Sequence, residues 1–142
     1  LNKKDFFKAV EFFQKAADLN QETGISYWYL GAAKIEAGDL SGVKDMEKAF
    51  VVKNSYSPSE QDYSRLINIY LKNKDYARIA GAYEKIISIN PTNPQHYASL
   101  ATAYANLGRI DDAVSMARKA AQVDPSFKAD AEVFLRSLGR EL

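Results

Sequence analysis

A chain of 142 residues with 46% apolar content holds enough hydrophobic material to bury a continuous core and too much to remain disordered. Its 19 basic and 18 acidic side chains nearly cancel, leaving a net charge of +1, which excludes a general electrostatic attraction to nucleic acid or anionic lipid. There is no cysteine and one histidine, His96, so disulfides, thiolate metal sites and paired-histidine zinc sites are excluded.

The longest apolar runs, such as Ala49 to Val52, fall far short of the ~20 residues a membrane span requires. No glycine-rich phosphate loop and no serine set between glycines is present. These observations predict no catalytic residue, no cofactor and no metal, and a segment that does not itself insert into a membrane.

Apolar residues recurring every three to four positions predict helices over residues 3–19, 24–37, 41–53, 58–73, 76–89, 94–107, 110–123 and 127–138. The first carries Phe6, Phe7, Phe12 and Phe13, which are costly to leave in water. They predict a chain that continues upstream of Leu1, or self-association through this helix. Between the second and third helices, Ala37-Gly38-Asp39 places glycine where a helix ends in the left-handed conformation. Ser57-Pro58-Ser59-Glu60 reads as a capping box opening the fourth helix.

Asn93-Pro94 gives the sixth helix a cap residue followed by a proline at its first position. That helix shows Tyr97, Leu100, Ala101 and Tyr104, and the seventh shows Ile110, Ala113, Val114, Ala117 and Ala120. Leu107-Gly108-Arg109 separates them. Asp111 and Asp112 open the seventh helix, where acidic side chains suit the positive end of the dipole. The last helix turns Val133, Phe134 and Leu138 inward and surrounds them with charge. Nothing alternates with a period of two, so no sheet is expected.

The chain also repeats. A shift of 34 lays Tyr63 on Tyr97, Leu66 on Leu100, Tyr70 on Tyr104 and Asn90-Pro91 on Asp124-Pro125. The same shift lays Asp5 on Asp39 and Ala9 on Val43. A shift of 36 lays Tyr27 on Tyr63 and Leu30 on Leu66, with the extra residues expected in the loop near Asn54 to Ser57.

This period, with Tyr97, Leu100-Ala101, Tyr104, Ala113, Ala117, Ala120 and Pro125 in one unit, resembles the tetratricopeptide repeat. Tyr63, Leu66, Tyr70, Tyr83, Ile86 and Pro91 follow the same signature in another. Tyr27, Leu30-Gly31, Val43 and Met46 follow it in a third, which then slips by about one residue before Ala49. Ile67 and Ile79 stand where the family has small residues and predict a slightly wider helix spacing there. The resemblance implies an all-α, right-handed superhelical stack of antiparallel helix pairs, an α-solenoid with about three full repeats. The expected divisions are a leading half repeat over 3–23, repeats over 24–59, 60–93 and 94–127, and a cap helix over 127–138.

The resemblance further implies a protein-interaction scaffold whose concave groove, lined by the first helix of each pair, holds a peptide or helix of a partner. Carried onto this chain, the groove residues are Trp28, Ile35, Ser64, Asn68, Leu71, Lys72, Thr102, Asn106 and Arg136, with Trp28 the leading anchor. Of a carboxylate clamp only Asn68 and Lys72 match, so clamp activity is not expected. The other readings are an accessory segment of a larger enzyme, such as a membrane-bound polysaccharide ligase or glycosyltransferase, and a self-assembly module. The setting expected is cytoplasmic or periplasmic, within a longer chain.

Overall fold

The computed structural model describes residues 3–19, 23–52 and 56–142. These are helical, with no extended strand among the described residues. The loop insertion expected at Asn54 and Ser55 lies outside them. The chain divides into two compact units, residues 1–58 and 59–142.

In the first unit, α1 (Lys3–Asp18) packs on α2 (Gly24–Glu36), and α2 packs antiparallel on α3 (Gly42–Lys48). In the second, α4 (Glu60–Lys72), α5 (Tyr76–Ile89), α6 (Pro94–Asn106), α7 (Ile110–Val123) and α8 (Lys128–Ser137) each pack on their neighbours in sequence. A single 3₁₀ turn, Pro125–Phe127, leads into α8.

The turns inside the helix pairs share one device. Gly38 at φ 88° and Gly108 at φ 72° end α2 and α6 in the left-handed region. The next amide reaches back to a carbonyl five residues earlier: Asp39 N to Lys34 O, and Arg109 N to Tyr104 O. The turn after α4 makes the same bond, Asp75 N to Tyr70 O, but its left-handed residue is Lys74, at φ 53°. A side chain there is strained where glycine would not be.

The first helices bury Gly31, Ile67 and Ala101 at equivalent positions, and the second helices bury Ile79 and Ala113 at equivalent positions, with Gly42 buried one residue earlier than its counterpart would be. The glycine pair marks a close helix approach. A methyl on Gly31 would fall 2.3 Å from Gly42 O, and one on Gly42 would fall 2.3 Å from Gly31 O. Lys34 Nζ and Asp45 Oδ2, at 2.7 Å, join the same two helices.

The slip read in this repeat lies earlier than Ala49. The amides of Gly42, Val43 and Lys44 bond carbonyls three residues back, whereas Ile79 and Ala113 bond Asp75 and Arg109 four residues back. The tighter winding brings Gly42 to the crossing one residue early.

Three other expectations are corrected. Helix α3 ends at Lys48 rather than near 53. Phe50 N and Val51 N close three-residue turns onto Glu47 O and Lys48 O, and Tyr56 N donates to Ala49 O. The chain thus leaves the helix to lay Phe50 and Tyr56 against Trp28.

The box opening α4 is Ser59 with Asp62, not Ser57 with Glu60: Ser59 N donates to Asp62 Oδ2 at 2.9 Å and Asp62 N to Ser59 Oγ at 3.3 Å. In α8, Ala131 and Leu135 form the buried stripe, while Val133 is 67% exposed. Phe134 and Leu138 do turn inward as expected, partly buried against the core of Ala101, Val114 and Ala117.

Candidate functional site

Helices α4, α6 and α8 each bury one stripe and leave another in solvent. Leu66, Ile67, Ile69 and Tyr70 of α4 are buried, while Gln61, Ser64, Asn68, Leu71 and Lys72 stay exposed. Ser64 Oγ donates to Glu60 O at 2.9 Å, within its own helix. Ser64 and Asn68 share an open depression with Ser59, Gln61 and Arg65. On α6, Thr102 and Asn106 are exposed. Thr102 Oγ1 donates to Ala98 O at 3.1 Å, and Asn106 Nδ2 to Thr102 O at 2.9 Å.

Trp28 is not an exposed anchor. It is 3% exposed, stacked on Tyr56 with ring centres 5.4 Å apart and lying 5.8 Å from Phe50. Burial of so large a ring inside the first unit outweighs what display to a partner would gain. Ile35, near the end of α2, is half-buried. Arg136 pairs loosely with Glu132 at 3.8 Å and lies with Glu141 and Leu142.

A cavity of about 180 Å³ opens between α6, α7 and α8. Buried Ala101, Ala117, Ala120 and Ala131 form its floor. The rings of Phe127 and Phe134 wall it. Ala98, Thr102 and the exposed carboxylate of Asp130 stand at its rim. Sequence reasoning named Thr102 but missed Phe127 and Asp130. Repeat alignment held the signal, because Ala101, Ala117 and Ala120 replace Ile67, Tyr83 and Ile86 of the preceding repeat.

Polar ties brace the frame beneath. His96, half-buried, brings Nε2 to 2.7 Å from Glu60 Oε1, and Asn90 Nδ2 donates to Glu60 Oε2 at 3.3 Å. Glu60 is free for this because the cap of α4 falls on Ser59 and Asp62. Tyr104 Oη donates to Glu84 Oε1 at 2.6 Å beneath the Arg109 guanidinium, 4.2 Å from the ring centre. Burial, then the bond to Glu84 and its charge, push this phenol up to about 12. Among the described residues no acidic or histidine cluster is arranged to hold a metal, and no helix is long and apolar enough to cross a membrane.

The model of the tetratricopeptide repeat matches residues 82–115, from the middle of α5 into α7. Together with the paired helices, this decides the family. The chain is a tetratricopeptide-repeat protein. It is 32% identical over 76 residues to small glutamine-rich tetratricopeptide repeat-containing protein 2 of Mycosarcoma maydis, covering 49% of this chain and 22% of that one. It is 26% identical over 124 residues to Hsp70-Hsp90 organizing protein 3 of Arabidopsis thaliana, covering 87% of this chain and 20% of that one. The repeat segment thus spans about a fifth of the length of these curated relatives. Among solved structures, a crystal structure of MamA matches with a TM-score of 0.59 at 26% identity, over 88% of this chain and 67% of that one.

Proposed function

We propose that this tetratricopeptide-repeat chain is a protein-interaction scaffold that holds an extended peptide of a partner on its second unit. The observation that carries the reading is the exposed stripe of α4. Leu71 offers an apolar contact, Asn68 an amide that can pair with peptide backbone, and Lys72 a cation for an acidic side chain or terminal carboxylate. Thr102 and Asn106 give α6 a comparable stripe. The relative named as organizing Hsp70 and Hsp90 supports a role in bringing proteins together. Trp28 is no part of this surface.

The test is binding of the full chain to a library of random twelve-residue peptides, followed by titration of the selected peptides. The double variant Asn68→Ala, Lys72→Ala is expected to weaken them at least ~10-fold, the loss of one charged and one neutral hydrogen bond. Unchanged affinity in that variant contradicts the reading.

A specific observation supports a second reading in the first unit. Phe7 and Phe12 of α1 are 61% and 69% exposed, whereas Phe6 and Phe13 are half-buried and Phe13 stacks on Tyr29. Water contact on two such rings favours association of copies through α1. Light scattering at high micromolar concentration is expected to show a dimer or larger, and Phe7→Ser, Phe12→Ser a monomer. A monomeric parent chain contradicts it.

A further inference from the structure

The repeats of the second unit differ in one respect that bears on specificity. At three equivalent positions α4–α5 has Ile67 and Ile86, both buried, and the half-buried Tyr83, whereas α6–α7 has the buried Ala101, Ala117 and Ala120. The volume these alanines give up is not recovered by neighbours. It remains as the cavity of about 180 Å³ under Phe127 and Phe134. Protein interiors seldom leave such space unfilled, since each void forfeits dispersion contacts along its lining. An apolar cavity of ~150 Å³ already accepts a benzene-sized guest. This one is open at its rim, where Asp130 makes no ion pair with any described residue.

We propose that the α6–α8 cavity seats one large apolar side chain of the bound peptide, leucine, methionine or phenylalanine, and that Asp130 selects a lysine or arginine beside it. This rests on the scaffold reading and names the peptide class. The alanine floor and the two phenylalanine rings offer the apolar side chain dispersion contact with little polar competition. The carboxylate at the rim supplies the charge complementarity that an adjacent basic residue meets without being buried.

The experiment is a selection of random twelve-residue peptides on the full chain, read by deep sequencing. It is repeated on Ala120→Ile, which restores the residue of the preceding repeat, and on Asp130→Asn, an exposed change. Selected peptides are expected to pair a large apolar residue with a neighbouring lysine or arginine. Ala120→Ile is expected to lose the apolar preference and weaken a selected peptide about tenfold or more. Asp130→Asn is expected to lose the basic preference and weaken binding about two- to fivefold at low salt, the difference shrinking as salt is added.

Peptides that bind without this pairing, or keep it in both variants, overturn the cavity assignment and leave the scaffold reading standing. Failure to select any peptide overturns both. Should Ala120→Ile lose its cooperative melt, Ala98→Leu at the partly exposed rim serves as the filling variant, and retained apolar preference there is contrary to the proposal.

Discussion

Helix pairs α2–α3 and α6–α7 are built on one plan and closed by different chemistry. In α6–α7 alanines, Ala101 and Ala113, are buried at the start of the shared face, and the second helix starts with a bond four residues back, Ala113 N to Arg109 O. In α2–α3 the pair is Gly31 and Gly42, the backbones approach within what a methyl would occupy, and the start is wound through bonds three residues back. The repeat therefore prescribes a hairpin and its turn. The residues at the crossing set how close the helices come and in which register. Where the crossing is tight, a cluster of Trp28, Phe50 and Tyr56 covers the pair. Where alanines line the face, a cavity remains.

The largest expected effect is at the tight crossing. Gly31→Ala would drive a methyl to 2.3 Å from Gly42 O and 2.8 Å from Met46 N, backbone atoms that cannot turn aside. It is expected to destabilise by ~3 kcal/mol in a urea titration. Ala101→Gly in the other pair removes a methyl and costs only ~1 kcal/mol. Equal losses would break the comparison.

The next effect is pH dependence in the α6–α7 pair. Tyr104 is raised to about 12 in the fold, above the ordinary 10. Above pH 10 the unfolded chain ionises this tyrosine while the folded one keeps its proton, so stability falls from pH 10 to 12, by up to ~2 kcal/mol. Tyr104→Phe is expected to flatten that part of the melting curve against pH relative to the parent. An unchanged slope contradicts the raised Tyr104 phenol.

Ser59→Ala removes the reciprocal cap of α4 and is expected to cost ~1 kcal/mol, against a few tenths for Ser57→Ala. The reverse order would make Ser57 the cap. The smallest effect carries the opposite sign. Lys74→Gly places glycine where Gly38 and Gly108 already stand and is expected to raise stability by ~0.5 kcal/mol, the relief of left-handed strain offset partly by unfolded-state entropy. A lower melting temperature would show that Lys74 is not strained.

The helices and their turns were legible because 34-residue self-similarity and 3.6-residue periodicity reported the same boundaries independently. Asn93 with Pro94, and glycine at 38 and 108, are local signals that tertiary packing does not override. What was misread depends on neighbours distant in sequence. The aromatic cover from Phe50 and Tyr56 both shortened α3 and removed Trp28 from the surface.

Two serines compete at the start of α4, and only backbone geometry separates Ser59 from Ser57. In α8 the stripe of Ala131 and Leu135 is short enough that Val133 fits the pattern nearly as well. Asp130 and Phe127 went unread because a cavity is an absence of side chains, visible in sequence only when Ala101, Ala117 and Ala120 are set beside Ile67, Tyr83 and Ile86.

The most direct test of the scaffold reading is amide chemical-shift mapping on the full ¹⁵N-labelled chain as a selected peptide is added. Shifts are predicted to gather at Ser64, Asn68, Leu71, Lys72, Thr102 and Asp130, with Trp28 and its aromatic neighbours unmoved. Shifts confined to α1 and α2, or spread over the buried faces with α4 and α6 silent, would contradict it.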